Sequence, residues 1–277
     1  MSAGEKRHLL NIMLRPFESL RTVALAASDG EIGSVREFYF DDEHWTVRYL
    51  VVNTGSWLAG REVLIPTRAL GEVDPQGRFI AVHLTREQVR ESPPLYSDKP
   101  ISRQHEEELH QYYGWDPYWM GGMGDLGAGM MLPPSALAPP PAFAPPPELS
   151  QDEPSQTQKI DSHLQSSAEL VSGYTIHAQD GEIGRVEDFI LDDSDWRVRY
   201  LVVHTGAWFL GKNALLAPEW IDRISYEDAE VVAHLPRTAI KGAPEYRARE
   251  PLTREFEQRL HDHYGRTGYW EGKKTGG

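Results

Sequence analysis

The feature that most constrains this chain is an internal repeat. From Asp29 to Gly60, 20 of 32 positions are identical to those from Asp180 to Gly211, at a constant offset of 151 and without a gap. The first copy opens on Asp29-Gly-Glu-Ile-Gly33 and runs through Trp45-Thr-Val-Arg-Tyr-Leu-Val-Val52 to Thr54-Gly-Ser-Trp57. The second opens on Asp180-Gly-Glu-Ile-Gly184 and runs through Trp196-Arg-Val-Arg-Tyr-Leu-Val-Val203 to Thr205-Gly-Ala-Trp208. So faithful a recurrence marks a fold made twice more readily than an active-site signature.

The elements within a copy follow from turn chemistry and period. Thr22 to Ala27 reads as a strand. Ser28-Asp29-Gly30 is a turn, because Asp bonds its own backbone and Gly accepts positive φ. Ile32 to Phe40 is a second strand, whose apolar phase breaks twice, so a bulge is expected near Gly33 or Glu37. Trp45 to Asn53 alternates well enough to be the clearest strand. Glu62–Pro66 and Arg78–Leu84 complete five or so short strands, which suggests a small antiparallel barrel rather than a sandwich. Each copy then carries a helical tail: Thr85–Arg90 and a helix capped by Ser102 in the first, a helix capped by Thr253 in the second, closed by Tyr118-Trp119 and Tyr269-Trp270.

The predicted fold class is therefore mainly β with helical tails: two small antiparallel barrels in tandem, packed with pseudo-two-fold symmetry. Residues 1–19 are a lead-in, read as a short amphipathic helix that covers the first barrel, with a partner-binding arm as the alternative, and residues 20–119 are the first repeat with its tail. Residues 120–165 form a Gly/Pro-rich linker containing Pro139-Pro-Pro141 and Pro145-Pro-Pro147, best read as a spacer. Residues 166–270 are the second repeat and 271–277 a C-terminal tail.

Composition narrows the function. The net charge of −14 disfavours a phosphate-binding surface, so no direct nucleic-acid partner is expected. The chain has no cysteine, which removes disulfides, thiolate catalysis and Cys-ligated zinc. No h-region or long apolar span is present in the sequence, and a cytoplasmic location is expected. No Ser-His-Asp grouping or phosphate loop occurs, and neither enzyme activity nor a cofactor is expected. The acidic clusters at Asp41-Asp42-Glu43 and Asp192-Asp193-Ser194-Asp195 lack a Ca²⁺-loop pattern and read as solvated turns. The repeated histidines, His83/His234 and His110/His261, read as packing or surface residues rather than zinc ligands.

The candidate interface residues are Trp57, Leu58, Trp208, Phe209, Leu210, Arg48 and Arg199. Large aromatics between glycines are either barrel plugs or exposed anchors; exposed, they are the best partner-binding surface, and buried, they are where the two repeats or two chains pack. Arg48 and Arg199, charged in apolar strands, are either interface anchors or structural ion pairs to an acidic neighbour such as Glu37 or Asp188, and the structural reading is favoured.

On Asp-Gly-Glu-Ile-Gly, the Asp-rich turn, Arg-Tyr-Leu-Val-Val, Thr-Gly-x-Trp and the strand leading into Pro66 or Pro218, both repeats resemble the PRC-barrel family. The family takes its name from the cytoplasmic barrel of the photosynthetic reaction-centre H subunit. A similar barrel occurs in a ribosome-maturation factor. The resemblance implies a non-enzymatic bacterial protein-interaction or scaffold module. Alternatives are an accessory factor of a reaction-centre or other membrane complex, peripherally associated, and a ribosome-assembly-type factor. Self-association, by repeat pairing within the chain or as a homo-oligomer, ranks ahead of a foreign protein partner.

Overall fold

The computed structural model describes residues 14–95, 101, 103–120, 164–206, 211–225 and 227–271. The chain divides into two compact units, residues 1–98 with 163–277, and residues 99–162. The first holds all fourteen described strands.

In chain order these are β1 (Leu14–Pro16), β2 (Ala24–Ala27), β3 (Gly30–Asp41), β4 (Thr46–Asn53), β5 (Glu62–Pro66), β6 (Leu70–Val73) and β7 (Phe79–Val82), followed by helix α1 (Arg86–Glu91). After the second unit, with its helix α2 (Arg103–Tyr113), come β8 (Leu164–Ser166), α3 (Ser167–Gly173), β9 (Thr175–Ala178), β10 (Gly181–Asp192), β11 (Arg197–Thr205), β12 (Lys212–Leu216), β13 (Ile221–Ser225) and β14 (Glu230–Ala233). Helices α4 (Arg237–Gly242) and α5 (Arg254–Tyr264) follow, and a 3-10 turn, Tyr269–Glu271, is the last described element.

The fold is mainly β, as expected, and the registers recur at the repeat offset. Val35 pairs Val52 and Glu37 pairs Val51; Val186 pairs Val203 and Asp188 pairs Val202. The bulge expected near Glu37 is present, since register shifts between Val35 and Glu37 and again between Val186 and Asp188. Two expectations are corrected. The strands are not all antiparallel, because β2 pairs β7 and β14 pairs β9 in parallel. Nor does the described hydrogen-bond network close into two separate barrels: it runs as one open path, β13-β14-β9-β10-β11-β4-β3-β2-β7-β6, with β1, β5, β8 and β12 off it.

The Asp-Gly-Glu-Ile-Gly stretch has a physical account. Asp29 Oδ1 accepts the Arg86 N–H at 2.8 Å, and Asp180 Oδ1 the Arg237 N–H at 2.6 Å, so each aspartate satisfies an open donor at a helix start. Gly33 has φ +144°, and a Cβ there would lie 2.1 Å from the Asn53 carbonyl oxygen. At Gly184 the same atom would lie 1.9 Å from His204 O. The glycine lets β3 and β10 cross a neighbouring backbone at a distance that no side chain permits.

The lead-in is a correction too. Residues 1–13 lie outside the described residues, and the part that follows is not helical: Leu14–Pro16 is a strand and Phe17–Ser19 a 3-10 turn. Pro16 breaks a helical reading of this segment. The segment does not cover its own repeat. Leu14, Arg15 and Pro16 pair Asp192, Leu191 and Ile190 of β10. Reciprocally, Leu164, Gln165 and Ser166 pair Asp41, Phe40 and Tyr39 of β3. Each repeat thus lends a short arm to the long strand of the other.

Between the arms, β4 and β11 meet at their first residues. Thr46 pairs Arg197, the residue 151 positions later, with Val47 N–H donating to Trp196 O and Val198 N–H to Trp45 O, each at 2.8 Å. Phe38 packs edge-on against Phe189, again its counterpart, at 5.2 Å between ring centres. Phe17 packs edge-on against Phe38 at 4.5 Å, and Phe40 lies 5.8 Å from Phe189. Phe38, Phe40 and Phe189 are fully buried. Each such ring contributes roughly 2–3 kcal/mol by burial, so this junction is a core and not a loose contact.

Candidate interaction surface

The Trp57 loop is built by its neck. Thr54 N–H and Oγ1–H both donate to Arg61 O, at 3.0 and 2.7 Å, and Asn53 Oδ1 accepts the Gly55 N–H at 2.8 Å. Gly55, Ala59 and Gly60 take φ of 62°, 55° and 72°. Those left-handed residues turn the chain back over a four-residue 3-10 turn, Gly55–Leu58. Trp57 is half-buried. Its indole N–H donates to Ile32 O at 2.8 Å, and the Arg86 guanidinium lies 4.5 Å above its ring centre. The ring is therefore neither a plug in the core nor a free anchor. It is pinned at its edge, covered by a cation on one face, and flanked by half-buried Leu58. Thr205 Oγ1–H donates to Lys212 O at 2.9 Å, which gives the second loop the same neck. Trp208, Phe209 and Leu210 lie outside the described residues.

Arg48 and Arg199 do not lie at this corner. Arg48 reaches Asp41, with Nη2 at 2.5 Å and Nε at 3.1 Å. Arg199 reaches Asp192, with Nη2 at 2.7 Å and Nε at 3.0 Å, and also Asp195 at 2.6 Å. The structural ion-pair reading holds, but the partners are Asp41 and Asp192 rather than Glu37 and Asp188. The first acidic residue of each turn is buried and also accepts turn N–H groups: Asp41 those of Glu43 and His44, Asp192 that of Ser194. Burial alone would raise the Asp41 carboxyl, but the His44 N–H and the Arg48 guanidinium outweigh it and hold the group below its ordinary range. These turns are fastened by arginine. Among the described residues no three His, Cys, Asp or Glu side chains gather as a metal ion would require.

A polar cluster not anticipated from the sequence lies under α5. Glu257 Oε1 is 2.8 Å from Tyr200 OH and accepts the Tyr269 hydroxyl at 3.0 Å, while Arg254 pairs its other oxygen at 2.8 Å. His261 Nδ1–H donates to Thr267 O at 3.1 Å, leaving Nε2 3.0 Å from the same Tyr200 hydroxyl. Tyr200 has one proton for two acceptors. That proton goes to Glu257 Oε1, and His261 Nε2 lies beside the same hydroxyl. Burial pushes the Glu257 carboxyl up, against Tyr200 and Arg254, and pushes the His261 imidazole down. The second unit repeats the tail part of this design. Within it, buried Glu106 accepts from Arg103 at 3.1 Å and from the Tyr118 hydroxyl at 2.7 Å, and Arg103 lies 4.1 Å over the Trp119 ring. The spacing Glu-x-x-x-His in both tails was the available signal, since it puts both side chains on one helix face.

Short curling strands, a bulged long strand and a pinned tryptophan loop define a small β module. Residues 23–89 match the family model of the PRC-barrel domain, so this part of the chain is a PRC-barrel domain. The chain is also similar to an uncharacterized protein of Deinococcus radiodurans, at 28% identity over 108 residues. That similarity covers 34% of this chain and 39% of the relative's length. No helix among the described residues is long and apolar enough to cross a membrane.

Proposed function

We propose that this chain is a non-enzymatic protein-interaction module in which two PRC-type barrels pair about a pseudo-two-fold axis. The observation that carries the reading is that Thr46 pairs Arg197 and Phe38 meets Phe189, each residue facing its own counterpart. Surfaces that match themselves in this way are how isologous dimers associate. Here one chain supplies both halves. The pairing consumes the β4–β11 side of each barrel and leaves the Trp57 corner, with Leu58 and Arg86, at the surface as the docking point. The buried titratable cluster supports a structural rather than a catalytic role. Tyr200, Glu257 and His261 are at most 1% exposed and satisfy one another, so a substrate has no path to them.

A photo-activatable cross-linker at Ser56, an exposed residue beside Trp57, tests the docking point in the chain's own cells. Discrete protein adducts that disappear in a Trp57→Ala background are the expected result. Adducts no different from those of a cross-linker at Glu250, an exposed site far along the chain, would overturn it.

A further inference from the structure

Among the described residues the two arms are secured in different ways. The second is held by four side-chain hydrogen bonds and a continuing helix. Ser166 Oγ–H donates to Glu37 at 2.8 Å, Gln165 Nε2–H to Asp42 at 2.8 Å, and Ser167 Oγ accepts the buried Phe38 N–H at 3.0 Å. The Ala168 backbone also bonds Glu37. The first arm, Leu14–Leu20, has three register pairs to β10, the Arg15–Asp193 ion pair at 2.7 Å and a Glu18 N–H shared between the two Asp188 oxygens at 3.2 and 3.3 Å. Its anchor is Phe17, which is 5% exposed and packs on Phe38.

The join between this arm and its own barrel is strained. Thr22 sits at φ 68°, in the left-handed region that a β-branched residue avoids. Its N–H is still tied to Val35 O at 2.8 Å. The equivalent position in the second repeat, Gly173, does not take this conformation. A β-branched residue forced into this conformation at the base of a short exchanged segment stores strain that another path of the hinge releases, and strained hinges favour exchange between copies.

The acceptor is well formed without the arm. The first part of β10, Gly181–Arg185, is hydrogen-bonded to β9, and Gly184–Asp192 to β11. The edge at Ile190–Asp192 is what remains, with Asp193 and Asp188 placed to receive an arginine and a backbone N–H. An extended segment of the pattern apolar-Arg-Pro-Phe satisfies it by strand addition, main-chain bonds giving affinity and the Phe and Arg positions giving selectivity.

We propose that the Ile190–Asp192 edge of β10 is a strand-acceptor site occupied in cis by Leu14–Leu20, and that the same arm of a second copy of this chain can take its place. The inference rests on the pairing of the two repeats. A variant carrying Thr46→Cys and Arg197→Cys, joined by a disulfide, holds that pairing fixed while the arm is tested. In that background Phe17→Ala loosens the arm in cis, and Arg15→Glu does so without leaving a cavity. A fluorescent peptide of residues 12–21 is then the probe. Expected is at least tenfold tighter binding of the peptide to either arm variant than to the chain with an intact arm, lost at least tenfold when the peptide carries Arg15→Glu. The chain with an intact arm, cooled at high concentration from partial unfolding, is expected to yield a dimer fraction that Arg15→Glu suppresses. Equal or absent peptide binding in folded arm variants, binding indifferent to the peptide's arginine, or a monomer under all cooling conditions each overturns the proposal. Failure of the disulfide to form would count against the repeat pairing instead.

Discussion

Replacing Arg48 by methionine separates a structural role from an interface role. The change keeps the length and apolar stem of the side chain and removes its charge. What it strands is Asp41, 3% exposed, 2.5 Å from the guanidinium. Breaking a buried pair by deleting one partner costs about 3–5 kcal/mol, because the remaining charge stays buried. Here the loss is smaller, since the Glu43 and His44 N–H groups continue to solvate Asp41 and Arg48 is itself one-fifth exposed. About 2–3 kcal/mol is expected. At ~2–4 °C per kcal/mol for a unit of this size, Tm falls by roughly 4–12 °C. Asp41→Asn alone should also destabilise, but the double variant should recover at least ~1 kcal/mol of the sum, because the charge that made the first loss expensive is gone. The pH dependence has a definite sign. The Asp41 carboxyl is lower in the folded chain than its ordinary 3.8, so its stabilisation is present above that value and is lost as pH falls through the folded one. Thermal melts of the four chains at pH 7 supply the cycle. A loss below ~0.5 kcal/mol for Arg48→Met, with no coupling to Asp41, would refute the argument and return Arg48 to the candidate interface.

Other outcomes follow from single contacts. Gly33→Ala should cost at least ~3 kcal/mol, since its φ of +144° is a glycine conformation and the Cβ would meet Asn53 O at 2.1 Å, whereas Gly55→Ala, left-handed with open space, should cost ~1 kcal/mol in the same denaturant titration. Burial pushes the Asp188 carboxyl up from 3.8 to about 6, with Glu18 and Glu187 adding to it and Tyr246 facing it. The folded chain therefore holds this proton where the unfolded chain releases it, and stability from this group rises as pH falls from about 6 toward 3.8. Asp188→Asn should remove that gain, seen as a Tm difference from wild type that changes between pH 7.5 and 5. A constant difference would contradict it. Glu257→Gln should cost less than Glu257→Ala, because it keeps an acceptor for the Tyr200 and Tyr269 hydroxyls, while Glu257→Ala should cost ~2–3 kcal/mol by leaving those hydroxyls and Arg254 facing a cavity, read in the same titration.

The legible parts of this molecule are those set by neighbouring residues. Asp29-Gly30 read as a turn and the stretch around Glu37 as a bulge because glycine, aspartate and the broken apolar phase act within a few positions. The role of Asp29 as acceptor for Arg86, 57 residues on, had no such local trace. The arm misled for a related reason. Its apolar spacing suited a helix, but a three-residue strand has no period to display and is dictated by the edge it joins. The parallel β2–β7 and β9–β14 pairings also escaped, since nothing in a short strand states the direction of a partner some 55 residues away. Arg48 reads as a structural ion pair to the middle of the adjacent strand, at Glu37, whereas its partner Asp41 is the last residue of that strand. Of the candidate surface, Trp57 was found by its glycines, but the carbonyl that pins it and the arginine that covers it come from distant segments.

The central claim is that the two repeats meet residue for residue about Thr46 and Arg197. These two form a non-hydrogen-bonded antiparallel pair, where Cα atoms lie about 4.5 Å apart and a disulfide is accommodated. The native chain has no cysteine, so Thr46→Cys with Arg197→Cys introduces the only two thiols. Mild oxidation should close a bond within the monomer, quantitatively and without loss of structure. By tying residues 151 apart it should raise stability by up to ~5 kcal/mol relative to the reduced form. Thiols that stay free in the folded chain, or that cross-link only between chains, would contradict the account.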